Sequence, residues 1–267
     1  MARIGLVAGS GDLPSVFARR AKEAGNTVIA FGLVGITDKA LEGRVDKMHW
    51  LEFGNLKKAL LLAAMDRINK VVLLGKLKKD LFYKKSAELD SEASKFLGKT
   101  GDKKDYSILK EATKVLKTFG IEVMESTTYM DDLLPARGVL TKRAPTARES
   151  EDVEYARTVA KELSRFDVGQ TVVVKDKNVI AVEGAEGTDQ TIKRSGELAP
   201  SGFTVVKVSR PDQDMRFDVP LVGLDTLKTL IASGGKVLAL EEKRVFLIDR
   251  EEMVRLADEK DVSIVVI

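Results

Sequence analysis

The sequence predicts an α/β protein built from an N-terminal Rossmann-like parallel-sheet domain and a C-terminal α+β domain. Three observations carry this. Short apolar runs alternate with helical stretches over roughly the first half, the pattern of strands covered on both faces by crossover helices. The composition then changes at Leu134-Pro135-Ala136-Arg137-Gly138 and Lys142-Arg143-Ala144-Pro145, a basic, proline-bearing stretch that reads as a linker. The second half mixes helices with two hairpin signals, which a second doubly wound sheet would not show. The expected boundaries are residues 1–132 for the Rossmann-like domain, a linker over 133–149, and the α+β domain over 150–267.

Taken in order, Arg3–Ala8 is an apolar strand, and Gly9-Ser10-Gly11-Asp12-Leu13-Pro14 is a turn. Val16–Ala24 is a helix with Val16, Phe17 and Ala21 on one face. Thr27–Phe31 and Val45–Leu51 are strands, Leu56–Ile68 a helix rich in Leu and Ala, and Lys70–Leu74 a strand ending at Gly75. Helices are expected near Ser86–Phe96 and Tyr106–Phe119, then a strand over Ile121–Met124. In the second half, Glu151–Leu163 carries an apolar stripe of Val153, Ala156, Val159, Ala160 and Leu163. Thr171–Val174 and Val179–Glu183 flank Lys175-Asp176-Lys177-Asn178, a hairpin signal. A helix after Asp189, a strand over Phe203–Val208 and a helix over Gly223–Ser233 follow. Val237–Leu240 and Val245–Ile248 read as a second hairpin around Glu241-Glu242-Lys243, before a helix over Arg250–Asp258 and a strand over Val262–Ile267.

Composition narrows the chemistry. The 267 residues are 44% hydrophobic and 32% charged, enough to build real cores. Lys+Arg is 44 against 41 Asp+Glu, a net charge of +3, which argues against a nucleic-acid coat protein; no nucleic-acid partner is expected. With no cysteine and a single histidine, His49, thiol nucleophiles, cysteine-ligated metals and multi-histidine zinc sites are excluded. Carboxylates, Lys/Arg, hydroxyls and a hard metal ion remain. Four Asn and three Gln among many Lys, Arg and Glu fit a heat-adapted protein. The N-terminus lacks a signal-peptide apolar run and no stretch of 18 apolar residues occurs, so a cytoplasmic location is expected.

Gly9-Ser10-Gly11 after a first strand invites a dinucleotide-binding reading, but Pro14 stands where the third glycine belongs, and Ala30-Phe31-Gly32-Leu33 supplies no ribose-binding acid. Gly9, Ser10, Gly11 and Asp12 are instead candidates for holding an anion at the helix N-terminus, or simply for a tight turn with Pro14 starting the helix. Lys76, Lys78 and Lys79 lie past the fourth strand, at the carboxyl edge where open α/β sheets bind ligands; a solvated helix start explains them equally. His49, beside Trp50, reads as a packed strand residue. Glu183-Gly184-Ala185-Glu186-Gly187-Thr188-Asp189 could place carboxylates around a cation or a sugar, or could be a turn capped by Thr188 or Asp189. The polar run Lys207–Pro220 is denser. Lys207, Arg210 and Arg216 suit phosphate oxygens, and Asp214 and Asp218 suit Mg²⁺; a surface ion-pair loop is the plainer alternative. Because Pro220 follows closely, Asp218 is expected in an extended conformation.

Together these blocks resemble the LpxI family, the UDP-2,3-diacylglucosamine pyrophosphatases of lipid A synthesis. The resemblance rests on Gly5–Pro14, Glu52-Phe53-Gly54, Leu134–Gly138, Asp167-Val168-Gly169-Gln170, Glu183 with Glu186–Asp189, and Lys207–Gly223. It implies Mg²⁺-dependent hydrolysis of the diphosphate and a glycolipid held between two domains; the residue types, which favour hard ions over zinc, admit Mn²⁺ in its place. It also implies that Asp218, in Asp218-Val219-Pro220-Leu221-Val222-Gly223, is the essential aspartate; Leu221 departs from the threonine common there. The expected substrate-binding set is Gly9, Ser10, Gly11, Asp12, Lys76, Gln170, Thr188, Lys207, Arg210 and Arg216. The expected metal set is Asp218, Asp214, Glu186 and Asp189. The expected partners are the glycolipid nucleotide, inner-membrane lipid through peripheral contact, and a second copy in a homodimer. The alternative from another class is a nucleotide- or sugar-binding regulatory module without turnover.

Overall fold

A computed structural model describes residues 1–76, 90–91, 93–94 and 105–267. The chain divides into two compact units, Met1–Asp131 with Asp214–Asp218, and Asp132–Gln213 with Val219–Ile267. Residues 214–218 thus lie in the second half of the sequence and pack with the first. Lys78, Lys79 and most of the helix expected near Ser86–Phe96 lie outside the described residues.

The first unit follows its apolar pattern. Strands β1 (Arg3–Ala8), β2 (Thr27–Leu33), β3 (Lys47–Leu51), β4 (Lys70–Leu74) and β5 (Glu122–Val123) form one sheet in the order β3-β2-β1-β4-β5. Every pairing is parallel, the Rossmann-like arrangement expected. Helix α1 (Leu13–Glu23), with Pro14 in its first turn, buries Leu13, Phe17, Ala18 and Ala21. Helix α2 (Leu56–Met65) buries Ala63 in a core with Ile29, Phe31, Leu51, Ile68, Val71, Ile121 and Val123, against which Leu116 of α3 (Asp105–Thr118) also packs. Each fully buried aliphatic or Phe side chain contributes about 1.5–3 kcal/mol. His49 packs as expected: its Nε2 lies 2.6 Å from Asp66 Oδ2, its ring 5.4 Å from that of Phe31, and Lys47 Nζ donates to Asp66 Oδ1 at 2.6 Å.

The second unit holds a six-stranded mixed sheet. Its strands are β6 (Gly138–Val139), β7 (Thr171–Lys175), β8 (Asn178–Val182), β9 (Phe203–Lys207), β11 (Gly235–Leu240) and β13 (Ser263–Val266), in the order β6-β13-β11-β9-β7-β8. Strands β9, β11 and β13 are parallel; β7, β8 and β6 run against their neighbours. Alternation sorts the side chains to two faces. Val172, Val174, Val206, Val237 and Ala239 meet helix α4 (Ala147–Arg165) through Val153, Ala156 and Ala160. Val173, Val205, Leu238, Leu240 and Ile264 meet helices α5 (Thr188–Leu198), α6 (Leu224–Ala232) and α7 (Arg250–Glu259) through Ile192, Leu227, Leu230, Met253 and Ala257.

The hairpin at Lys175–Asn178 forms, with Asp176 and Lys177 both left-handed (φ 55° and 56°), the geometry of a two-residue turn. The second expected hairpin does not. After β11 the chain leaves the sheet, and β12 (Phe246–Leu247) pairs in parallel with β10 (Leu221–Val222) instead. Helix α4 also starts before the expected Glu151. Thr146 accepts from Glu149 N–H while Glu149 accepts from Thr146 N–H, a capping box written as Thr146-Ala147-Arg148-Glu149. Within the stretch read as a linker, β6 adds an edge to the sheet, and Arg143 ion-pairs with Glu149 at 2.7 Å. No helix among the described residues is long and apolar enough to cross a membrane.

Candidate functional site

In each unit the expected site residues gather at the carboxyl edge of the parallel strands, where α/β sheets present their ligands. In the first unit β1 and β4 end side by side, at the point where the strand order reverses. Gly9 N–H donates to Leu74 O (2.8 Å) and Ser10 N–H to Lys76 O (3.0 Å); Lys76 N–H returns to Ser10 O (2.9 Å). The fit is tight: a Cβ on Gly9 would stand 2.7 Å from Lys76 O, and one on Gly75 (φ 94°) 2.7 Å from Gly9 C. The amides of Gly9 and Ser10 therefore close the turn onto β4, and anion binding by those two N–H groups is corrected by this pairing. Gly11 (φ 95°) and Asp12, the N-cap of α1 with no side-chain cap bond, are exposed at the helix start. The Ser10 hydroxyl donates to Lys76 O at 3.0 Å.

The segment Asp214–Asp218 is seated at this same edge, beyond β4 and β5. Ser126, 1% exposed just past β5, makes the seat. Its N–H donates to Met215 O (2.8 Å), and its hydroxyl lies 2.7 Å from Arg216 O and 3.2 Å from Leu73 O. Phe217 is buried beside these bonds and Asp218 is exposed. Asp218 has φ 54°, left-handed rather than extended. Proline restricts the residue immediately before it, here Val219, and leaves Asp218 free to turn. A left-handed non-glycine residue is strained, and such strain clusters at working sites. Arg216 grips Asp214 with a fork: Nε to Oδ1 at 2.9 Å and Nη2 to Oδ2 at 2.6 Å. That fork holds the Asp214 carboxyl below its usual range. Arg216 also lines a groove of about 570 Å³ with Thr113, Lys117, Met124 and Glu125.

In the second unit, β7 runs against β9, so the start of β7, the end of β8 and the end of β9 share one edge. Lys207 is 6% exposed there, its Nζ 2.5 Å from Thr188 Oγ1 and 3.5 Å from Thr171 Oγ1. Thr188 Oγ1 lies 3.0 Å from Glu183 Oε1, whose Oε2 accepts from Gln170 N–H at 3.3 Å. Burial alone would raise the Glu183 carboxyl, but the Lys207 charge and these hydrogen bonds outweigh it and hold the group below its usual value. Beyond β9, Arg210 pairs with Asp167 at 2.9 Å. Ser209 N–H and Oγ donate to Glu241 Oε2 at 2.7 and 2.9 Å, and Lys161 Nζ meets Glu241 Oε1 at 2.5 Å.

The four expected metal ligands divide between the two units. Asp214 and Asp218 belong to the first unit, Glu186 and Asp189 to the second. Asp214 is held by Arg216, Glu186 by Arg194 at 2.8 Å, and Asp189 accepts from Thr226 at 2.8 Å. Among the described residues no three His, Asp or Glu side chains form a group that could hold a metal ion. The exposed Asp218 carboxylate has the chemistry of a hard-ion ligand, since Mg²⁺ commonly takes one or two carboxylates and completes its shell with water and substrate phosphate. The alternative of a cap at Thr188 or Asp189 also fails: Gly187 (φ 84°) is the N-cap of α5, and Thr188 and Asp189 turn to Glu183 and Thr226. Ser126, Asp167, Lys161 and Glu241 were not visible as site residues in the sequence; each acts through a partner tens of residues away.

Residues 3–133 match the LpxI N-terminal domain and residues 136–265 the LpxI C-terminal domain. The chain belongs to the LpxI family. The UDP-2,3-diacylglucosamine pyrophosphatase LpxI of Caulobacter vibrioides is 29% identical over 273 aligned positions, spanning 97% of this chain and 95% of that protein. Among solved structures, the biotin carboxylase domain of a single-chain bacterial carboxylase aligns at 16% identity over 70% of this chain and 38% of its own, with a TM-score of 0.24. The biotin carboxylase of Campylobacter jejuni aligns at 12% identity over 73% of this chain and 42% of its own, also at 0.24. Scores that low equate neither fold nor function.

Proposed function

We propose that this LpxI family member hydrolyses the diphosphate of UDP-2,3-diacylglucosamine to 2,3-diacylglucosamine 1-phosphate and UMP, with Mg²⁺. Family membership and a relative of nearly equal length named for this reaction support the substrate and the reaction class. The observation that carries the residue-level reading is the Asp214–Asp218 segment: an exposed, left-handed aspartate anchored beside a buried Phe217 and two residues from an arginine.

The chemistry needs phosphate ligands, a positioned water and neutralisation of developing charge. Each unit carries cations suited to phosphate oxygens, Arg216 in the first and Lys207 and Arg210 in the second, and a phosphate would compete with Asp214 for Arg216 and with Asp167 for Arg210. Asp218 would hold Mg²⁺ together with the substrate's own phosphate oxygens, and the ion would offset charge on the diphosphate. In this reading Asp218 also orients the attacking water.

The test is turnover of UDP-2,3-diacylglucosamine by the parent chain and by Asp218→Ala, each with and without EDTA. Loss of one main electrostatic contributor predicts a fall in kcat of about a hundredfold with folding retained. Chelation should stop the parent, and Mg²⁺ or Mn²⁺ should restore it. A melting temperature that drops while kcat stays within a few-fold of the parent removes Asp218 from the catalytic set. Binding without UMP release decides for a regulatory module.

A further inference from the structure

Lys207 presents a buried ammonium, and a buried charge persists only where partners compensate its lost hydration. Its partners form a directed chain. A threonine hydroxyl owns one proton and two lone pairs. The ionised Glu183 carboxylate can only accept, so Thr188 gives its proton to Glu183 Oε1 at 3.0 Å and receives one from Lys207 Nζ at 2.5 Å. The order ammonium, hydroxyl, carboxylate is therefore fixed.

The carboxylate is itself held from a second side. Gln170 N–H donates to Glu183 Oε2. The backbone before Gln170 rests on the end of β8 so closely that a Cβ on Gly169 would stand 2.1 Å from Glu183 O. Thr171 Oγ1 lies 3.4 Å from Thr188 Oγ1 and 3.5 Å from Lys207 Nζ.

We propose that Glu183 is a positioning residue: it fixes the Thr188 hydroxyl and, through it, aims the Lys207 ammonium for the diphosphate. Glu183 itself touches no substrate. The inference rests on the reading of Lys207 as a diphosphate ligand and assigns how that ligand is set.

A double-mutant cycle tests it, with kcat/KM for UDP-2,3-diacylglucosamine measured on Glu183→Gln, Lys207→Met and the double variant, each with its melting temperature. Removing a group that orients a ligand costs about 10–100-fold, so Glu183→Gln is expected to lose about tenfold or more. Lys207→Met should lose at least as much. The double variant should be no worse than Lys207→Met, because Glu183 has nothing left to aim. Thr188→Val keeps the side-chain volume, removes the hydroxyl and should reproduce the Glu183→Gln loss; Glu183→Asp should recover part of the rate. Thr188→Val also serves if Glu183→Gln fails to fold. Losses that multiply in the double variant, or a Glu183→Gln or Thr188→Val variant as active as the parent, overturn the positioning role. An unaffected Lys207→Met, or a parent without turnover, overturns the functional reading, and this proposal falls with it.

Discussion

Truncating Ser126 to alanine tests the seat of the Asp218 segment. The hydroxyl has one proton, and the 2.7 Å separation from Arg216 O against 3.2 Å from Leu73 O assigns it mainly to Arg216. Ser126→Ala removes that donor from a buried site and leaves both carbonyls with one partner fewer. The change opens space for only a single oxygen, so the cost is that of one hydrogen bond and one under-satisfied acceptor, about 1–2 kcal/mol. At roughly 2–4 °C per kcal/mol for chains of this size, the melting temperature should fall by about 2–8 °C. The Ser126 N–H still holds Met215 O at 2.8 Å, so the segment stays seated but loses one of its anchors. Small misplacement of a reacting group is costly, and kcat should fall about tenfold while KM holds. Calorimetry and steady-state kinetics on one preparation check both. A lowered melting temperature with full kcat would refute the claim that Ser126 places Asp218; two unchanged values would refute the anchor altogether.

Gly169→Ala should destabilise the second unit by about 1–3 kcal/mol, because its Cβ would meet Glu183 O at 2.1 Å and a backbone atom cannot step aside as a side chain can. Gly43→Ala, at a site with nothing within 4 Å and outside the left-handed region, should cost less, and urea unfolding that ranks the two equally would contradict this. Asp66 predicts a pH dependence. Burial would raise its carboxyl, but the bonds from Lys47 and His49 prevail and its folded value lies below the usual one. The stability it contributes is therefore complete above the unfolded pKa of about 3.9 and is lost as pH falls through the lower folded value. The gap between parent and Asp66→Asn in urea unfolding should be widest near neutral pH and narrow in acid; a gap that does not change with pH would count against it.

Local signals carried most of the fold. The apolar runs of the first half became parallel strands, with β1, β2 and β4 largely buried on both sides, and the turn at Asp176-Lys177 was legible because two residues between alternating strands admit few geometries. What failed was pairing over distance. Glu241-Glu242-Lys243 looks like a hairpin turn, yet β12 finds its partner in β10, some 25 residues upstream, and no local pattern encodes that. The Gly9 and Ser10 amides looked available to an anion because the end of β4, which consumes them, lies about 65 residues on. The capping box Thr146-Ala147-Arg148-Glu149 is itself a local signal, and it starts α4 ahead of the apolar stripe. Of the candidate site, Lys207, Arg210, Arg216 and Asp218 announced themselves as charges beside an apolar strand. Ser126 did not, and Glu183 showed only as one carboxylate of an acidic turn, because their meaning depends on carbonyls and hydroxyls supplied from elsewhere in the chain.

The 90-residue separation between Ser126 and Arg216 also has a consequence for synthesis. At about 5–20 residues per second, some 5–18 s pass between the emergence of the seat and of the segment that fills it. During that interval the sheet of the first unit can pair and bury its helices, but the site of Phe217 stays uncovered. The aspartate proposed for catalysis therefore arrives after the sheet that seats it, and a nascent chain released before residue 217 would leave the seat of Phe217 empty at the carboxyl edge of that sheet.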